Sequence, residues 1–126
     1  MMLPRPVLVA EDNPTIAGLI KLLLELEGFA VVVTHCGEEA LELLGTVEPV
    51  AVVTDYAMPG ISGADVCRSI RAERRYDRVP VVLYSSADPC ADMLDAVALG
   101  GVHYLIKTAG PRRVAGLVTR LVPAAA

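Results

Sequence analysis

The sequence predicts an α/β domain built on a five-stranded parallel sheet. Five short apolar runs alternate with five stretches of helical periodicity, and the connections between them are short. The runs are apolar almost throughout rather than at every second residue, which is what burial on both faces of a sheet requires.

The first run, residues 6–10, stops at the polar cluster Glu11-Asp12-Asn13-Pro14. From Pro14 to Glu27, Ile16, Leu19, Ile20, Leu23, Leu24 and Leu26 recur at helical spacing. Asn13 suits the N-cap, Pro14 the first turn, and Gly28 the position just past the end. Phe29–Thr34 is the second strand. Gly37–Gly45 is a short helix with Glu38, Glu39 and Glu42 outward and Ala40, Leu41 and Leu44 inward. Val50–Thr54 is the third strand and ends on Asp55. A turn through Met58-Pro59-Gly60 leads into a helix from Gly63 to Ala72, with Val66, Cys67 and Ile70 on its buried side. Pro80–Tyr84 is the fourth strand, and a helix from Asp88 to Leu99 runs into the Gly100-Gly101 break. Val102–Ile106 is the fifth strand and Pro111–Val122 the last helix. Pro123–Ala126 reads as a tail or a linker stub.

Composition narrows the function classes. The 126 residues fit a single domain, long enough to fold without disulfides or a structural metal. At 54% hydrophobic the chain is not a disordered segment. No apolar run approaches the roughly 20 residues of a spanning helix, and no signal-peptide pattern opens the chain, so a cytoplasmic location is expected. The net charge of −4 and the single Phe argue against direct nucleic-acid binding, which wants a basic surface and stacking aromatics. Cys36, Cys67 and Cys90 are odd in number and widely spaced, the pattern of reduced, semi-buried thiols rather than a disulfide frame or zinc site.

Ligands of an open parallel sheet bind outside the carboxyl ends of its strands. Those ends carry Glu11 and Asp12 after the first run, Asp55 after the third, Ser85 and Ser86 after the fourth, and Lys107 after the fifth. Three carboxylates and one ammonium leave two negative charges, which one divalent cation cancels. Two carboxylates ~4 Å apart repel by about 4 kcal/mol at an effective dielectric of ~20. A hard cation relieves that repulsion, and Mg²⁺ is the natural one where phosphate is also bound. A carboxylate can also act as a nucleophile toward phosphorus, and the rest of phosphoryl transfer is positioning and charge stabilisation. The rim reads as an aspartyl-phosphate site.

The segments Val7–Pro14 (V-L-V-A-E-D-N-P), Asp55–Gly63 (D-Y-A-M-P-G-I-S-G), Pro80–Ala87 (P-V-V-L-Y-S-S-A) and Tyr104–Lys107 (Y-L-I-K) sit in order at these strand ends. With them the chain resembles, over essentially its full length, the receiver domains of two-component response regulators. The resemblance implies a flavodoxin-like (βα)5 three-layer sandwich with strand order 2-1-3-4-5. It makes Asp55 the phospho-acceptor and assigns Mg²⁺ to Asp12, Asp55 and the Ala57 carbonyl, with Glu11 holding it through water. Ser85 would hydrogen-bond a phosphoryl oxygen, Lys107 would pair with the phosphoryl group, and Ser85 and Tyr104 would form the switch. The partners implied are a histidine kinase or phosphotransfer protein and a downstream protein or effector domain. A dimer that forms on phosphorylation belongs to the same pattern, as does an output surface around helix four, strand five and helix five. Such a domain catalyses only its own phosphorylation and dephosphorylation.

Two departures bear on this expectation. Glu11 stands where the family more often has Asp. Thr108 follows Lys107 where the family usually has Pro after a cis peptide. A cis bond before a non-proline residue costs ~2.5–4 kcal/mol, so a trans Lys107–Thr108 bond and a rearranged loop are expected. The second departure motivates an alternative, a receiver fold that binds partners without using phosphate. A third class, a phosphatase with an aspartyl nucleophile, lacks the D-x-D pattern after the first strand and a cap domain. His35 and His103 have no local partner for catalysis or metal binding and read as surface or strand-end histidines, and Arg68, Arg71, Arg74, Arg75 and Arg78 read as a solvated face. Ala57 and Ala87, two residues beyond Asp55 and Ser85, neither block nor orient an attacking water, which implies an intermediate phosphoryl lifetime.

Overall fold

The computed structural model describes residues 5–122. The tail at Pro123–Ala126 and most of the segment ahead of the first strand lie outside the described residues. The elements alternate as β1 (Val7–Ala10), α1 (Pro14–Leu26), β2 (Val31–Thr34), α2 (Gly37–Val47), β3 (Ala51–Asp55), α3 (Gly63–Arg71), β4 (Val81–Ser85), α4 (Ala91–Val97), β5 (Val102–Ile106) and α5 (Pro111–Leu121). Two 3-10 turns, Arg74–Tyr76 and Lys107–Ala109, complete the path. All pairings are parallel and the sheet order is β2-β1-β3-β4-β5. The expected fold and strand order are those observed.

The sheet is covered on both faces. Val7, Val9, Val53, Val82 and Tyr84 pack against Ile20 and Leu24 of α1 and Val114 and Val118 of α5. Leu8, Val52, Val81 and Leu83 face the other way, onto Ala40 and Leu44 of α2, Val66 and Ile70 of α3, and Met93 and Ala96 of α4. This two-sided burial is why the strands read as continuous apolar runs. The predicted buried side of α3 is observed, with Val66, Cys67 and Ile70 essentially inaccessible.

Local signals set the helix starts. The Asn13 side chain accepts from the Thr15 and Ile16 amides at 3.0 and 3.2 Å, and Gly28 takes φ +97° just past the end of α1. Ser62 and Asp65 form a capping box at α3. The boundaries differ from expectation in places. Helix α2 runs two residues further, to Val47, and α4 begins at Ala91 rather than Asp88, while β3 and β4 each extend onto the polar residue that ends them. On α1, Leu19, Leu22 and Leu26 are exposed, so the apolar stripe is wider than the core it covers. The cysteines are free, but Cys90 is exposed rather than semi-buried.

Candidate functional site

Where β1 and β3 end side by side, their last residues and the loop after β1 bring three acids together. One carboxylate oxygen each from Glu11, Asp12 and Asp55 lies within 4.8 Å of the others. Glu11 and Asp55 are buried, and Asp12 is exposed at the mouth. Lys107 reaches in from the end of β5 and ties two of them together, with Nζ 3.1 Å from Asp55 Oδ2 and 3.2 Å from Glu11 Oε1. The geometry follows from parallel pairing: every strand delivers its last residue to the same rim.

The electrostatics separate the two buried acids. Burial first, and then the Glu11 charge, push the Asp55 carboxyl up to about 6, with Lys107 offsetting part of the rise. Burial also acts to raise Glu11, but donors outweigh it and hold its carboxyl below the usual range. Those donors are the Asn13 amide at 3.1 Å, the Tyr84 phenol at 2.8 Å and the Lys107 ammonium. Desolvation works against the Lys107 charge, yet the hydrogen bond and charge of Asp55 and the charge of Glu11 raise its pKa. The ammonium is therefore firmly protonated, and the cluster keeps a net negative charge.

The remaining expected site residues lie on the neighbouring strands and loops. Ser85 is buried at the end of β4, where its Oγ accepts the Ala87 amide at 3.1 Å. Tyr104 is half-buried on β5, and its hydroxyl donates to the Ala87 carbonyl at 2.6 Å. Ser85 and Tyr104 thus both engage the segment after β4. Ala57 is exposed in the loop after Asp55, and Gly60 in that loop takes φ +82°. Gly63 packs so closely that an added Cβ would collide with the Asp55 carbonyl oxygen, which locks the start of α3 to the end of β3. The Lys107–Thr108 bond is trans, and the chain winds through the 3-10 turn to Gly110 at φ +92°. The expected trans bond is observed, and Lys107 still reaches the carboxylates.

Several residues at or near the site were not read from the sequence. Tyr84 is fully buried, and its ring centroid lies 5.1 Å from Lys107 Nζ. The available signal was a phenol in an otherwise aliphatic buried strand, since a buried tyrosine hydroxyl needs a partner. Tyr56 donates to Asp92 at 2.9 Å, linking the residue after Asp55 to the start of α4. His35 is the expected exposed strand-end histidine, with Nδ1 3.3 Å from the Glu11 carbonyl oxygen. The arginine face is solvated at Arg74 and Arg78, but Arg68 bridges Asp65 and Asp92 at 3.0 and 2.7 Å. Arg71 is structural, donating to the carbonyls of Tyr76, Val79, Gly100 and Gly101.

A hard-oxygen cluster of three acids fits a divalent cation such as Mg²⁺, because the donor set is all carboxylate and its charge exceeds what Lys107 compensates. Among the described residues no helix is long and apolar enough to cross a membrane.

Comparison with known proteins accords with this arrangement. The DNA-binding response regulator MtrA of Mycolicibacterium smegmatis is 30% identical over 112 residues, covering 89% of this chain and 48% of that protein. The alkaline phosphatase synthesis transcriptional regulatory protein PhoP of Bacillus subtilis is 30% identical over 110 residues, covering 87% of this chain and 45% of that one. The chain therefore spans about half the length of these curated relatives. Among solved structures, the receiver domain of Francisella response regulator 1452 superposes with a TM-score of 0.81 at 29% identity, covering 94% of this chain and 96% of that one. The receiver domain of a signal transduction histidine kinase from Syntrophus aciditrophicus gives 0.82 at 26% identity, covering 93% and 89%. The family model for the response regulator receiver domain matches residues 7–119, so the chain with this fold and this acidic rim belongs to the receiver-domain family of response regulators, the signal-receiving modules of two-component systems.

Proposed function

We propose that the domain accepts a phosphoryl group on Asp55 from the phospho-histidine of a sensor kinase or phosphotransfer protein. The observation that carries this reading is the convergence of Asp55, Asp12 and Glu11 with Lys107 held against Asp55. An Asp55 oxygen would attack phosphorus as the P–N bond of the donor breaks, and the electron pair of that bond would return to the imidazole. Asp12, Asp55 and the Ala57 carbonyl would hold Mg²⁺ directly, with Glu11 doing so through water. Mg²⁺, when bound, would supply charge stabilisation to the transferring group. Lys107 supplies a second positive charge beside Asp55, and Ser85 supplies a hydroxyl at the neighbouring strand end. The domain thereby promotes its own phosphorylation and dephosphorylation and turns over no other substrate. The exposed, small Ala57 and Ala87 leave the approach of water open.

Phosphorylation replaces the single carboxylate charge of Asp55 with roughly two negative charges on the acyl phosphate. Lys107 and Ser85 are drawn toward them, and Tyr104, whose hydroxyl holds the Ala87 carbonyl, can move into the space Ser85 leaves. That shift biases the surface formed by α4, β5 and α5 toward a second arrangement and changes its affinity for a downstream protein, an effector domain or a second copy. The encounter with the kinase would take place in the cytoplasm. Asp55→Asn tests the assignment. Incorporation of phosphate from a small-molecule phosphodonor with Mg²⁺, read by intact mass, should vanish in the variant, and its persistence overturns the assignment.

A further inference from the structure

The phenol of Tyr84 touches two charged groups of the site at once. Its hydroxyl donates to Glu11 Oε1 at 2.8 Å, and its ring lies beside the Lys107 ammonium, which itself contacts the same Glu11 oxygen at 3.2 Å. Both side chains are inaccessible, Tyr84 at 1% and Glu11 at 0%. Tyr84 stands opposite Asp55 in the β3–β4 register, so its side chain crosses beneath β3 to reach the end of β1. The other Glu11 oxygen, Oε2, accepts the Asn13 amide at 3.1 Å. Each oxygen of Glu11 is therefore tied down from a different element.

We propose that Tyr84 is a positioning residue for the acidic centre: its phenol draws the long Glu11 side chain back and fixes where its carboxylate faces Asp12 and Asp55. The inference rests on the reading of that centre as a Mg²⁺ site. A glutamate has one more rotatable bond than an aspartate, and its carboxylate would otherwise wander within the cluster or swing toward the mouth. The Tyr84 hydroxyl removes that freedom without adding charge. An aspartate at position 11 would end one carbon–carbon bond short of the phenol, about 1.5 Å. The longer acid and the buried tyrosine thus work as a pair, and neither has its full effect without the other.

Mg²⁺ titrations of the full chain, followed by amide chemical shifts, test the pairing. Tyr84→Phe keeps the ring and removes the hydroxyl, and it should weaken Mg²⁺ binding about tenfold, the lower range for loss of a group that orients a metal-binding carboxylate. In a Glu11→Asp background the same substitution should change the dissociation constant less than about twofold, because the shorter acid does not reach the phenol. Equal weakening in both backgrounds would assign Tyr84 a packing role and overturn the proposal, as would wild-type affinity in Tyr84→Phe. A second measurement needs no change at Tyr84: in tyrosine-labelled protein its Cζ resonance should move in Glu11→Asp, and an unmoved resonance overturns the pairing. In either failure, saturable binding by the parent that Asp12→Ala abolishes leaves the Mg²⁺ reading intact. A parent without such binding overturns that reading and this inference together.

Discussion

Asp55 is the residue whose charge the fold accommodates least easily. Its carboxyl is raised from 3.8 to about 6 by burial and by the Glu11 charge, so in metal-free protein the native state holds a proton that the unfolded chain has already released between those two values. The native state binds more protons there, and the Asp55 contribution to stability therefore falls as pH rises from about 4 to about 6 and is level above that. Glu11, whose carboxyl is lowered, contributes in the opposite sense at lower pH. Asp55→Asn should accordingly stabilise chelator-treated protein by on the order of 1–3 kcal/mol at pH 7.5 and by little at pH 4. Thermal melts of both proteins at the two pH values check this, and a gain that is the same at both removes the electrostatic explanation. The site thus gives up stability to keep a buried carboxylate close to other negative charge. Of its parts, Glu11, Asp12, Asp55, Ser85 and Lys107 were legible in the sequence because each directly ends or follows an apolar run. Tyr84 was not, because its role depends on which strand lies two places away in space.

At the scale of elements, one side chain organises a whole edge of the molecule. Arg71, the last residue of α3, donates to the carbonyls of Tyr76 and Val79 ahead of β4 and of Gly100 and Gly101 ahead of β5. The glycines matter here: Gly101 takes φ +66° and an added Cβ would press on the Arg71 guanidinium. Arg71→Ala should cost about 1–3 kcal/mol in urea denaturation with an unchanged slope, since it removes four hydrogen bonds at once while the Tyr76 and Gly101 carbonyls keep the amides of Val79 and Val81. Arg71→Lys should recover less than half, because an ammonium cannot fork to four acceptors. Periodicity placed every helix and strand because it is a local property. It missed the Arg71 staple and the Tyr56–Asp92 link because both join residues from elements that meet only in the folded chain. The start of α4 was placed three residues early for a related reason. Asp88 and Pro89 look like a helix start, but the chain there remains extended enough for Ala87 to meet Tyr104.

For the molecule as a whole, the acidic rim lies across the end of a sheet that both cores share, so a ligand bound there is felt by the entire cooperative unit. Mg²⁺ at about 100 times its dissociation constant should stabilise the fold by ~2.7 kcal/mol, a rise in Tm of roughly ten degrees for a domain of this size. Asp12→Ala, at the exposed mouth, should abolish the dependence on Mg²⁺ while leaving the metal-free melt nearly unchanged. A Tm independent of Mg²⁺ in the parent removes the case for the cation. The arrangement of phenols has an optical consequence as well. The chain has no Trp and four Tyr, so its ultraviolet emission is tyrosine emission alone. Tyr84 and Tyr56 donate to carboxylates, an arrangement that quenches a phenol by drawing its proton away in the excited state. Tyr104 is bonded to a carbonyl, and Tyr76 is buried under the Arg75 guanidinium with its hydroxyl unpaired. Tyr84 is the one of these phenols whose carboxylate partner belongs to the acidic rim, so an event that breaks its bond to Glu11 should announce itself as a gain of light.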